Sequence, residues 1–265
     1  MLDFNKDLKN TLLRKTNKMK CYDSLYYSSN EDFDGLFSQF NLKDKSILSI
    51  IGSRDQAFYF YNMGCESVDL YDINIVTIYY YFLRLWCIKY MGDLYPDLNL
   101  AYVRRLLSNV QPSNPFEENA CNYWIKMMNI FEFDYELESL FFIGSVKMLE
   151  KYINDNSFLI QRIMSKNINF TPMDITKPIN LEKKYDMVFV SNISEYIKSN
   201  HQFRVFSDNL EKVLKQDGVV VGSNVMRVYP QINEIRILSK NFDFHEIKSS
   251  TNRSFFPGFY YTKKR

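Results

Sequence analysis

The chain has 265 residues, 46% of them apolar and 17% aromatic, which is enough to bury the core of one elaborated domain. With 33 Lys and Arg against 31 Asp and Glu, the formal charge is +2 and the concentrated basic stripe of a dedicated nucleic-acid binder is missing, so no stable nucleic-acid partner is expected. The longest apolar run, Ile73 to Met91, is broken by Asn74, Arg84 and Lys89, and the opening Met-Leu-Asp-Phe-Asn-Lys-Asp lacks the order of a signal peptide. No transmembrane segment is expected, and the sequence reads as cytoplasmic.

Cys21, Cys65, Cys87 and Cys121 are widely spaced, with no C-x-x-C pair, so they are expected to be idle thiols rather than disulfide or zinc ligands. His201 and His245 are the only histidines, too few for a multi-histidine metal site, and no metal is expected.

In chain order, residues 1–44 form a helical or irregular arm rich in Asn, Asp, Lys and Tyr. The run Ser46-Ile47-Leu48-Ser49-Ile50-Ile51 meets Gly52-Ser53 and turns helix-permissive near Asp55, which reads as strand, turn, helix. A second strand, Ser67 to Asn74, ends in an acid and is followed by a helix to about Met91. The two strands make a β-α-β unit and require a parallel sheet.

From about 92 to 166 the periodicity is helical without comparable strand signals, a segment too long for a plain connection and read as a helical insertion capping the sheet. A third strand is expected at 167–175, with Pro172 arguing for a sheet edge or a strand end. The apolar run at 184–192 is a buried fourth strand, followed by a helix from Phe203 to Leu214. Asp217-Gly218 reads as a turn into a fifth strand, Val219 to Ser223, and a helix near Ile232 to Ser239 follows. Two last strands, at 242–248 and 255–262, joined by a turn, are expected to run antiparallel. The whole is a single Rossmann-like α/β domain over 1–265, with a mostly parallel, seven-stranded sheet.

In such sheets a ligand lies beyond the carboxyl ends of the strands, where the chain order reverses. Gly52, Ser53, Arg54, Asp55 and Gln56 would form the first ligand turn, Gly52 allowing close approach and the helix start offering free N–H groups. Asp55 also reads as an ordinary helix N-cap. Asp72, twenty residues beyond Gly52, is placed to accept both hydroxyls of a ribose, with Ile73 and Asn74 beside it. Asp174, with Ile175, could take an adenine amino group or cap a helix. The two acids favour an adenosyl ligand. A dinucleotide needs a three-glycine turn, and 52–57 offers only its first glycine. An adenosyl sulfonium tolerates acids and aromatic faces, which Tyr27, Tyr71 and Tyr196 could supply, although most tyrosines read as packing. A cation at position 54 opposes the helix dipole, so Arg54 calls for a partner such as a ligand carboxylate.

The blocks 47–56 and 68–74 resemble the first two motifs of the S-adenosylmethionine-dependent 3-amino-3-carboxypropyl transferases of the betaine-lipid synthase type, within the class I methyltransferase-like superfamily. Tyr26-Tyr27-Ser28-Ser29-Asn30-Glu31-Asp32 resembles that family's upstream signature, and the segment 185–196 its fourth-strand motif. The insertion matches only in size and in Phe142-Ile143-Gly144-Ser145, and Arg54 stands where the family commonly has glycine. The resemblance implies S-adenosylmethionine as co-substrate, with attack on the Cγ of its methionine moiety and release of methylthioadenosine. The remaining ligand contacts would fall at Ser191 and Asn192. Glu195, as base, and Tyr196 would reach the reacting end, and Glu31 with Asp32 could close over the cleft. Ordinary methyl transfer is the runner-up, and a non-catalytic adenosyl-binding protein the third reading. A small molecule, a lipid or a peptide could be the acceptor. Leu140 to Ile143 or Tyr79 to Trp86 could offer an apolar surface to a lipid, although both also read as core.

Overall fold

The structure, a computed structural model, describes residues 25–27, 29, 31–53, 55–142, 150, 153, 156–164, 169–223, 232–247 and 258–264. The elements begin with β1 (Leu25–Tyr26), α1 (Phe33–Phe37), β2 (Ser46–Ile50), α2 (Asp55–Asn62), β3 (Ser67–Asp72) and α3 (Ile75–Met91). Then come α4 (Leu100–Leu107), α5 (Pro115–Ile130), α6 (Asp134–Glu138), β4 (Phe141–Phe142), α7 (Asn156–Met164) and β5 (Asn169–Pro172). The last are β6 (Tyr185–Ser191), α8 (Asn200–Val213), β7 (Leu214–Ser223), α9 (Ile232–Leu238), β8 (Phe242–Ile247) and β9 (Gly258–Lys263). The chain divides into two compact units, one drawn from Met1–Asn30, Ile51–Phe58 and Asn74–Met164, the other from Glu31–Ile50, Tyr59–Ile73 and Ser165–Arg265.

The second unit holds a seven-stranded sheet in the order β5-β3-β2-β6-β7-β9-β8. Neighbours from β5 to β7 run parallel, and β9 is antiparallel to both β7 and β8. The centre of β6 is buried, as its unbroken apolar run requires, with Val188, Phe189 and Val190 at 0–1% exposure. Val188 and Val190 join a core with Leu48, Phe203, Phe206 and Leu210. Those three residues of α8 recur at helical spacing, and Ser199 caps the helix by accepting from the Gln202 amide at 3.2 Å. Pro172 ends the edge strand β5, where its missing N–H costs no interior ladder bond.

Asp217-Gly218, expected as a turn before a strand, lies inside β7. Pairing jumps from Tyr185↔Leu214 to Met187↔Val219, so the turn-forming residues are the extra length of an irregularity. The helix α1 is fixed by aromatic packing: Phe33 and Phe37 are buried, and the Phe37 ring lies 5.2 Å from that of Phe189. Gly258 admits this helix, since a Cβ there would come within 2.4 Å of Leu36 Cδ2.

In the first unit α3 is buried nearly all round, as its composition demands. Asn74 caps it by accepting from the Val76 amide at 3.1 Å, and Gly92 ends it in the left-handed region at φ 79°. The described residues of 92–166 include the helices α4, α5, α6 and α7, with Trp124 of α5 donating to the Tyr79 carbonyl at 2.8 Å. They also include the two-residue strand β4, which pairs parallel to β1 and carried no readable strand signal. Tyr79 to Trp86, weighed as a lipid-facing surface, is buried core, and so are Leu140 and Phe141. Cys65, Cys87 and Cys121 are buried and form no disulfide among the described residues, and Cys21 lies outside them. Among the described residues no helix is long and apolar enough to cross a membrane.

Candidate functional site

Strand order in the second unit reverses between β2 and β6: the chain moves outward from β2 through β3 to β5, then returns to β6 and moves outward through β7. Beyond the carboxyl ends of these strands is where an open parallel sheet offers a ligand crevice. Asp72 closes β3 with 8% exposure, and the next residue, Ile73, is 71% exposed. The Met173 amide donates to the Asp72 carbonyl at 2.9 Å and holds the end of β5 against it.

Asp174 accepts from the Thr176 amide at 3.0 Å and hydroxyl at 2.7 Å, and it pairs with Lys177 at 3.3 Å. Partial burial favours its protonated form, but the Thr176 donors and the lysine outweigh this and lower its pKa. The Ile175 side chain is 2% exposed and part of the core, so any ligand contact falls to its backbone. Tyr71, considered as an aromatic wall for the sulfonium, is a core residue, 1% exposed and donating to the Phe189 carbonyl at 3.3 Å. Strand alternation explains the difference, since Tyr71 and Asp72 face opposite sides of the sheet.

At the end of β6, Ser191 has φ 49°, a left-handed conformation uncommon for serine. Its hydroxyl donates to Glu31 Oε1 at 2.7 Å, and the Ser223 hydroxyl, from the last residue of β7, donates to the same oxygen at 2.7 Å. Glu31 is 2% exposed. Asn192 Nδ2 donates to Glu195 Oε2 at 3.1 Å within the 3-10 turn Ile193–Tyr196. Glu195 is 8% and Tyr196 36% exposed. The second unit thus brings Glu31 and Ser191 into direct contact, and the Ser191 hydroxyl also lies 3.4 Å from Asn192 Oδ1, while the Asn192 side-chain amide nitrogen bonds Glu195.

The remaining expected residues belong to the first unit. Gly52 has φ 49°, so the turn needs its conformational freedom. The Ser53 hydroxyl accepts from the Asp55 amide at 3.4 Å and donates to Gln56 Oε1 at 3.2 Å, a local bracket on the first turn of α2. The cap-like contact belongs to Ser53 rather than to Asp55. The Asp55 carboxylate is fully buried in an ion pair with Arg84 and also accepts from the Ser29 amide at 2.6 Å and the Tyr95 hydroxyl at 3.0 Å.

Arg84 donates further to the Ser53 carbonyl at 3.0 Å and twice to the Leu94 carbonyl, at 3.2 and 2.9 Å. Its guanidinium lies 4.1 Å from the centre of the Tyr95 ring and 5.1 Å from that of Phe58. Burial opposes its charge, but Asp55 overrides this and raises its pKa. The Asn74 side chain caps α3. Tyr27 is packing: 8% exposed, it donates to the Pro96 carbonyl at 2.8 Å and its ring lies 5.4 Å from that of Tyr95. Arg54 lies outside the described residues, as do Ser28, Asn30 and the segment Ile143-Gly144-Ser145.

Sequence reasoning missed Arg84 and Ser223. Arg84 had a signal, a cation in the middle of an apolar helix, which soluble proteins seldom bury without a partner. Ser223 had only its place at the end of the fifth strand.

No protein-family model matches the chain, and no curated protein sequence does. Among solved structures, the N-methyltransferase NodS from Bradyrhizobium japonicum WM9, in complex with S-adenosyl-L-homocysteine, matches at 10% identity and TM-score 0.42, over 98% of this chain and 99% of that one. The glycopeptide N-methyltransferase MtfA, complexed with sinefungin, matches at 11% identity and TM-score 0.43, over 86% and 84%. A TehB-like S-adenosylmethionine-dependent methyltransferase from Corynebacterium glutamicum matches at 10% identity and TM-score 0.42, over 84% and 82%. The strand order, with its antiparallel β9 between β7 and β8, is itself the Rossmann-like arrangement of the class I methyltransferase fold.

Proposed function

We propose that the chain is an S-adenosylmethionine-dependent transferase. The observation that carries this reading is the end of β3: a largely buried acid, Asp72, followed by a solvent-exposed isoleucine, Ile73, beside the reversal of strand order. A carboxylate suits the two hydroxyls of a ribose, and an exposed aliphatic side chain suits one face of an adenine ring. Asp174 and the Ile175 backbone follow the neighbouring strand β5 and would meet the adenine edge. Gly52, Ser53 and Gln56 enter the proposal through chain order, as the turn directly after β2, with Arg54 as the proposed partner of the methionine carboxylate.

The bound sulfonium supplies an electrophilic carbon: the acceptor's electron pair forms the new bond, the C–S bond breaks and its pair stays on a neutral thioether. What the chain must add is orientation and a base for one acceptor proton, worth about 10²–10⁴-fold for the proton transfer. Glu31 and Glu195 are the carboxylates proposed for that task, with Tyr196 at the open side of the same turn.

Transfer of the 3-amino-3-carboxypropyl group is the finer reading, supported by the resemblance of residues 26–32, 47–56, 68–74 and 185–196 to that family's motifs. Methyl transfer stands beside it because the Asp72–Ile73 pair recognises only the adenosyl part, which both reactions share. The acceptor is proposed to be a small molecule, a lipid or a peptide. Incubation with S-adenosylmethionine and cell extract, followed by chromatography of the nucleoside products, separates the readings. Methylthioadenosine supports the first and S-adenosylhomocysteine the second. Ligand binding without either product indicates a non-catalytic adenosyl binder, and absence of binding overturns the proposal.

A further inference from the structure

We infer that Ser191 and Glu31 form a proton relay, with Ser223 as the positioning residue that fixes its far end; this rests on the reading of the chain as a transferase. Glu31 is too buried, at 2% exposure, to meet an acceptor directly, whereas Ser191 is only partly buried. The serine hydroxyl therefore stands between the carboxylate and the region beyond the strand ends, 2.7 Å from Glu31 Oε1. In the relay the acceptor's N–H or O–H proton passes to Ser191 Oγ as the serine's own proton passes to Glu31. The acceptor's electron pair is thereby freed for the new bond, and the serine leaves the step unchanged.

Three features single out this pair over Glu195. The first is backbone strain: Ser191 holds φ 49°, where glycine or asparagine would be the low-cost choice, so the hydroxyl is retained against a conformational penalty. A second is the clamp, since the Ser223 hydroxyl, 1% exposed, binds the same oxygen at 2.7 Å and fixes the carboxylate from the neighbouring strand. The third is Gly222, paired with Ser191 across the ladder. A Cβ there would fall 2.5 Å from Phe259 Cζ and 2.9 Å from the Ser191 carbonyl, so only glycine lets the two strand ends close on Glu31. Glu195 accepts from Asn192 Nδ2 at 3.1 Å.

The test compares Ser191→Gly, Ser223→Ala and Ser223→Thr with the unmodified chain. Each is assayed for release of methylthioadenosine or S-adenosylhomocysteine with cell extract as the acceptor source, for S-adenosylmethionine affinity by calorimetry and for thermal stability. Glycine suits the left-handed backbone and keeps the main chain through which position 191 would meet the ligand, so Ser191→Gly should melt no lower than the parent and bind S-adenosylmethionine within about twofold, yet release product about 100-fold more slowly, the low end of general-base effects. Ser223→Ala should lose about tenfold and Ser223→Thr recover most of it, the intact carboxylate retaining part of the general-base effect. Rates in mixtures of light and heavy water should curve for the parent, with two protons in flight, and become linear for Ser191→Gly. A parent that makes neither product removes the transferase reading and the relay with it. A productive parent whose Ser191→Gly variant keeps full rate removes the relay alone. A rate that falls only in step with affinity and melting temperature reduces Ser191 to a structural role and overturns the relay.

Discussion

Asp72 shows how much can rest on one strand end. It is the last residue of β3, its carbonyl accepts from Met173, and its carboxylate stands next to an isoleucine that folding left in solvent. If it holds a ribose, Asp72→Ala should weaken S-adenosylmethionine binding by about 2–5 kcal/mol, the cost of truncating one partner of buried charged hydrogen bonds. Calorimetry on the folded variant reads this directly, and unchanged affinity would remove the ribose assignment. The positions of Gly52 and Asp72 were legible because each sits where a strand ends and a turn begins, the one punctuation that local chemistry writes plainly. Tyr71 was not. A tyrosine beside the proposed ligand acid invites an aromatic role, and only the covering of both faces of β3 sends its ring into the core.

At the scale of elements, α3 is the instructive case. Its helical character and its end near Met91 follow from the sequence, but Asn74, read there as a strand end beside the ligand acid, caps the helix, and Gly92 closes it in the left-handed region. The partner of Arg84 does not, since Asp55 lies 29 residues away and nothing local links the two. The pair is fully buried and joined to Ser29, Ser53, Leu94 and Tyr95, so it ties the turn after Gly52 to the start of the insertion. Stability alone is a poor reason to bury such charges, because desolvation offsets much of their attraction. Arg84→Met or Asp55→Asn alone should destabilise the fold by about 3–5 kcal/mol by stranding the other partner, and the double variant should lose clearly less than the sum. Urea denaturation of the three variants measures this cycle, and additive losses would show that the two side chains act independently.

The whole sheet was the most legible feature, and it was legible through alternation. Short apolar runs ending in polar residues, separated by helical spacing, left little choice but a parallel sheet with an antiparallel end. What remained hidden was register, visible where Asp217-Gly218 became extra length inside β7 instead of a turn. That irregularity brings Lys215 within 2.8 Å of Asp186, which also accepts from the Ser46 amide at 2.9 Å and hydroxyl at 2.8 Å and lies 3.6 Å from Lys45. Asp186 thereby links the amino ends of β2, β6 and β7, opposite the proposed ligand end.

Partial burial favours the protonated acid, but the Lys215 ammonium and the two Ser46 donors overcome it and draw the carboxyl down to about 2. A carboxyl whose folded pKa is depressed contributes stability in full above its unfolded value, near 3.9, and loses it as pH falls through the folded value. The urea midpoint should therefore drop between about pH 4 and pH 2. Asp186→Asn, which keeps the shape and cannot titrate, should lower the midpoint at pH 7 while making the acid drop shallower. Parallel acid limbs in the two proteins would mean that the Asp186 carboxyl holds its proton equally well in the folded and unfolded chain, so that its partners lend the fold no pH-dependent stability.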